Sequence, residues 1–142
     1  MRVFLDTNVW VSAAVFPGLC AELLLELDAR GHRILSSALV REEVHAVLRR
    51  KFLRHAPALK RFDALWACAV AVPDVAEPFA DPDARLVAAA HTADADVFIT
   101  GDQRVLSWDP RGSLRILSPR QAWEQVLISP ESQPPAPLQG SS

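Results

Sequence analysis

A chain of 142 residues, half of them apolar and 23% charged, has the length and balance of a single globular domain. Its net charge of −2 excludes a broadly cationic nucleic-acid binder, and its most apolar stretch, residues 64–72, is too short to span a bilayer. Cys20 and Cys68 have no paired spacing and read as small buried thiols of a reducing cytosol; no signal peptide precedes the first element, so a cytoplasmic protein is expected.

Residues 2–5 form a short run rich in β-formers that ends abruptly at Asp6, Thr7 and Asn8. Such an apolar run reads as a buried parallel strand. In open α/β sheets the chemistry sits just beyond the carboxyl ends of strands, so Asp6 stands where a functional carboxylate belongs. Residues 9–16 are apolar with small side chains, and Pro17-Gly18 breaks them. Residues 19–29 read as a helix with Leu23, Leu24, Leu25 and Leu27 in a wide buried stripe, closed by Gly31. A second strand is expected at 32–35.

Ser36 and Ser37 are N-cap candidates for a helix over 38–52, whose Leu39, Val40, Val44, Val47 and Leu48 recur at helical spacing. Another helix follows Pro57, with Leu59, Phe62, Leu65, Trp66 and Ala69 on one side, and 70–72 reads as a third strand. Asp81 at an N-cap with Pro82 behind it opens an Ala-rich helix. Residues 97–100 form the clearest later strand, ended by Gly101-Asp102; 114–117 is the last strand and 119–127 the last helix. The alternation gives an α/β fold with a mostly parallel sheet. The chain divides into a domain over 1–127 and a Pro/Ser-rich tail over 128–142, whose SPESQPPAPLQGSS cannot bury enough to order itself.

Asp6 and Asp102 both follow strands and should project from one edge of the sheet, with Asp83 in the first turn of the helix leading to the second of them and Glu43 near the start of the 38–52 helix. Four such carboxylates repel when bare, and a divalent cation removes the conflict. Hard oxygen donors without a His or Cys cluster favour Mg²⁺ or Mn²⁺ and suit phosphodiester hydrolysis, which then needs no side-chain nucleophile. Each acid also has a plain structural account. Asp83 complements a helix dipole, Asp81 caps, Glu43 has an equally placed neighbour in Glu42, and Asp102 is a turn residue. Asp6 resists such an account, because a structural acid at a buried strand end needs partners. Asp109 is a reserve candidate that reads more simply as the start of an Asp-Pro turn.

His32, His45, His55 and His91 show no ligand spacing, and Trp10, Trp66, Trp108 and Trp123 read as core aromatics on separate elements. Residues 41–61 carry a net charge of +5, including Arg49, Arg50, Lys51 and Arg54, which is either an anion-binding flank or a solvated helix face.

The segments LDTNVWVSA, SSALVREEVHAVLRRKF and DPDARLVAAAHTADADVFITGDQRVL resemble the PIN domain, and most of all the PIN ribonuclease toxins of bacterial toxin–antitoxin pairs. The resemblance runs from residue 1 to about 127. It implies a three-layer α/β/α sandwich and a Mg²⁺- or Mn²⁺-dependent endoribonuclease. Asp6, Asp83 and Asp102 would then hold the metal. Glu43, rather than Glu42, would position water or act as general base, and Thr7, Asn8 and Thr100 would orient the carboxylates. Ala84 stands where many relatives have an acid, so Asp83 is taken as the matching residue and Asp81 as its fallback. The resemblance also implies an RNA substrate, with Arg49, Arg50, Lys51 and Arg54 as a phosphate-contacting flank, a cognate antitoxin and a homodimer. Ala84 keeps open a second reading, a catalytically weak PIN-like module for RNA or protein binding. A phosphotransfer receiver fails for want of an early acidic pair and a later lysine, and an Asp-x-Asp phosphatase fails at Asn8.

Overall fold

Five strands form one sheet with every pairing between them parallel: β1 (Arg2–Leu5), β2 (Arg33–Ser36), β3 (Val70–Ala71), β4 (Val97–Ile99) and β5 (Arg115–Leu117), in the order β3-β2-β1-β4-β5. The computed structural model describes residues 1–76 and 81–128. Its helices are α1 (Thr7–Val15), α2 (Leu19–Ala29), α3 (Ala38–Lys51), α4 (Ala56–Trp66), α5 (Pro82–Thr92), α6 (Gln103–Leu106) and α7 (Pro119–Ala122), the last running on as a π-helical turn, Trp123–Ile128. The chain steps from β1 outward to β2 and β3, then returns to the other side of β1 for β4 and β5. Right-handed crossovers put the connections of these two halves on opposite faces, which is the three-layer α/β/α arrangement. The strand order therefore reverses between β1 and β4, and a crevice opens there beyond their carboxyl ends.

The sheet centre is apolar because both its faces are covered. Val3, Phe4 and Leu5 of β1 and Phe98 and Ile99 of β4 are fully buried. Phe4 and Phe98 are register partners, and their rings stack at 5.6 Å. Helix α1 packs against α2, α3 and α4, so Val9, Trp10, Ala13, Ala14 and Val15 are all buried. The side of α1 left open carries only Thr7, Asn8, Val11 and Ser12, too few polar residues to give the helix an amphipathic period, which is why residues 9–16 read only as apolar. Trp10 meets Phe62 edge-on at 5.8 Å and Trp66 at 5.2 Å, which ties α1 to α4. No single helix among the described residues is long and apolar enough to cross a membrane.

Several local expectations change. The second strand starts one residue later than expected, and the last helix changes to π geometry at Trp123. Ser37 occupies the N-cap of α3, but its hydroxyl makes no capping bond; the Leu39 amide there donates to Asp74 Oδ2 at 3.2 Å instead. Cys20 and Cys68 are free and only half-buried. The tail expected beyond the domain lies, from residue 129, outside the described residues.

Candidate active site

The crevice between β1 and β4 is built from a hydrogen-bond network anchored on Asp6. The Asp6 amide donates to Ile99 O at 2.9 Å, locking the two strand ends together. Its carboxylate caps α1, Oδ1 accepting from the Thr7 amide at 2.7 Å. Oδ2 accepts from Thr100 Oγ1 at 2.7 Å and from Asn8 Nδ2 at 3.2 Å. Asn8 Oδ1 in turn accepts from the Gly101 amide at 3.0 Å, and Thr100 Oγ1 accepts from the Asp102 amide at 3.0 Å. On the other side Thr7 Oγ1 donates to Glu43 Oε1 at 2.5 Å. Thr7, Asn8 and Thr100 thus hold the side chains of Asp6 and Glu43 and the backbone around Asp102.

Asp6 is 2% exposed, which makes its ionisation costly. Burial, reinforced by the charges of Asp83 and Glu43, pushes its carboxyl up from 3.8 to about 6, against the pull of the Thr100 and Thr7 hydrogen bonds. Glu43 is raised by burial and by Asp83 and Asp74, with Thr7 and Arg85 opposing. Asp83 is raised by burial, then by Asp81 and Asp102, with Arg104 opposing. Asp83 is thus the acid whose charge reaches both Asp6 and Glu43, and it in turn feels the charge of Asp102.

They do not share one cavity equally. Asp6 and Asp83 line a groove of about 430 Å³ with Thr7, Asn8 and Ser12 between them and Phe16, Val47, Lys51 and Phe52 along its wall. Asp102 lines an adjoining cavity of about 260 Å³ with Asn8, Ser12 and Pro119. Glu43 joins through Thr7. Among the described residues no three Asp, Glu, His or Cys side chains are drawn tightly enough together to form a ready-made metal cage. The donor set nevertheless fits a hard cation. It consists of carboxylate oxygens from separate segments, and two of them, Asp6 and Glu43, are raised partly by the charge of Asp83.

Of the other candidates, Asp81 is the N-cap of α5, accepting from the Asp83 amide at 2.9 Å. Asp109 serves local structure, accepting from the Ile116 amide at 2.7 Å and Arg115 Nε at 3.0 Å. Glu42 is exposed. In the basic flank Lys51 reaches the groove of Asp6, whereas Arg50 and Arg54 line a separate cavity with Lys51 and His55, and Arg49 lines another with Leu53 and Leu59. Ser12, Phe16 and Phe52 line the groove without having been expected there, and one charged group at the site's rim also carried no expectation: Arg104, whose guanidinium donates to Asp81 Oδ2 and Asp83 Oδ2, each at 2.7 Å. Its only sequence signal is a cation two residues after Asp102.

An all-parallel sheet with acids at its order reversal has the architecture of an α/β domain whose crevice lies at the carboxyl edge of the sheet. The family follows from sequence: the PIN domain model matches residues 2–104, and the chain belongs to the PIN domain family. Among solved structures the chain is similar to VapBC2 from Rickettsia felis bound to a DNA fragment from its promoter, with a TM-score of 0.63 over 83% of this chain and 98% of that chain. At 17% identity that likeness is one of fold. No curated protein matches the chain in sequence.

Proposed function

We propose that the protein is a Mg²⁺- or Mn²⁺-dependent endoribonuclease, the toxin of a toxin–antitoxin pair. The observation that carries this reading is Asp6, buried at the carboxyl end of β1 beside an open groove, its ionisation opposed first by burial and then by the charges of Asp83 and Glu43. Repulsion between acids from distant segments has a natural use where a divalent cation is to be held. Asp6, Asp83 and Asp102 would hold the ion, which when bound supplies the positive charge that phosphodiester hydrolysis requires. Glu43, aligned by Thr7, would take the proton of the attacking water. Thr100 and Asn8 keep Asp6 oriented, and Lys51 would meet the backbone of an RNA strand lying in the groove. Membership of the PIN domain family and the fold likeness to VapBC2 support the toxin role. An antitoxin that covers the groove, a homodimeric toxin and a cytoplasmic location belong to the same reading.

A second reading, a PIN-like module that binds RNA without cutting it, is favoured by Ala84 and by the pairing of Asp83 with Arg104. Purified protein incubated with single-stranded RNA and Mn²⁺, beside an Asp6→Asn variant, separates the two. Cleavage by the native chain and its loss in the variant support the enzyme. RNA binding with no Asp6-dependent cleavage supports the module.

A further inference from the structure

Arg104 is the second residue of α6, the short helix that Asp102 caps, and its backbone amide donates to Asp102 Oδ1 at 2.9 Å. Its guanidinium bridges Asp81 and Asp83 through separate nitrogens, Nη1 to Asp81 Oδ2 and Nη2 to Asp83 Oδ2, and Nη2 also reaches Asp81 Oδ1 at 3.4 Å. The same group lies 4.9 Å over the ring of Trp108. One residue thus touches three acids of the site's rim. It uses the planar fork that suits arginine to carboxylates and cannot be discharged by deprotonation.

Asp83 is the acid in common between this clamp and the groove it lines with Asp6. An ion approaching from the groove meets a carboxylate of which one oxygen is already engaged by a cation. Asp81 is placed differently: its carboxylate caps α5 through the Asp83 amide, does not line the groove, and holds the guanidinium through Nη1 at 2.7 Å. Arg104 therefore has a resting place, between Asp81 and the Trp108 ring, that does not require Asp83.

We propose that Arg104 is a built-in counter-ion that holds Asp83 while the site is empty of metal and passes to Asp81 alone when a divalent ion binds, so that Arg104 sets the metal affinity of the site. The inference rests on the reading of Asp83 as a metal ligand. Arg104 acts through Asp83 and is a positioning residue. A purely structural role, in which Arg104 presents Asp83 to the ion, has the opposite sign: its removal would weaken binding.

The test is the binding of Mn²⁺ to the full chain, followed by electron paramagnetic resonance of the free ion, for the native protein, Arg104→Gln, Arg104→Lys and Asp6→Asn. Because the pair is exposed, the expected change is modest, roughly fivefold tighter binding in Arg104→Gln, with Arg104→Lys between it and the native chain. The difference should shrink as salt is raised. Binding lost in Asp6→Asn but unchanged or weakened in Arg104→Gln overturns the counter-ion role and leaves the metal reading standing. Absence of Asp6-dependent binding in the native chain and in both Arg104 variants overturns the two together.

Discussion

Asp6→Asn should make the metal-free protein more stable at neutral pH while abolishing its activity. The Asp6 carboxyl titrates near 6 in the folded state against 3.8 for an unhindered aspartate. The folded chain therefore holds a proton that the unfolded chain has given up, and stability declines as pH rises from about 4 to about 6. Above that range the full shift opposes folding, ~3 kcal/mol. Asparagine removes the charge and keeps an acceptor for the Thr7 amide, but its amide group faces both donors to Oδ2, the Thr100 hydroxyl and Asn8 Nδ2, at the cost of one to two hydrogen bonds, ~1–2 kcal/mol. The net gain is about 1–2 kcal/mol, a rise in Tm of roughly 3–8 °C for a domain of this size. Melting curves in EDTA from pH 4 to 8 should cross: the variant is the less stable by about 1–2 kcal/mol at the acid end, overtakes the native chain as pH rises from about 4 to about 6, and stays above it by a constant margin from there to pH 8. Parallel curves, or a variant that is less stable at pH 8, would refute the assignment of Asp6 as a strained, unwillingly charged group.

Thr7→Val removes the donor that fixes Glu43 and should lower the cleavage rate at least tenfold, with only about 1 kcal/mol lost from stability; rates and melts on the same preparation check this. Lys51→Ala should weaken binding of single-stranded RNA and reduce the slope of log affinity against log salt by about 0.7, measured by fluorescence anisotropy on the Asp6→Asn background so that no RNA is cut. Trp10→Ala empties the junction of α1 and α4 and should cost about 3–5 kcal/mol in denaturant unfolding.

Much of the candidate site was legible because the acids proposed for it sit at boundaries that the sequence marks. Asp6 ends an apolar run, Asp81-Pro82 opens a helix, and Asp102 follows the clearest late strand. Those boundaries fall where a parallel sheet collects its ligands, so position alone selected Asp6 and Asp102. The choice of Glu43 over Glu42 needed the family resemblance, and the structure gives it a physical basis, since only Glu43 receives the Thr7 hydroxyl. Arg104 was not legible. It lies on a helix of four residues, too short to leave a period, and its partners Asp81 and Asp83 are 23 and 21 residues away. The groove wall of Phe16 and Phe52 was hidden for a related reason. Their ring contact, 6.1 Å between centroids, joins the ends of α1 and α3, and long-range pairing of that kind leaves no local pattern. Ser37 shows the opposite case: the local signal for a cap was correct in position, but Asp74 took the amide.

On the proposed reading, carboxylates from distant segments serve one hard cation. A crystal of the protein soaked in Mn²⁺ tests it most directly, through the anomalous scattering of the metal. A peak is expected within ligand distance of Asp6 and at least one of Asp83 and Asp102, with Arg104 withdrawn from Asp83. Saturating Mn²⁺ with no peak at the carboxyl ends of β1 and β4, or a peak held only by acids elsewhere on the surface, would contradict it.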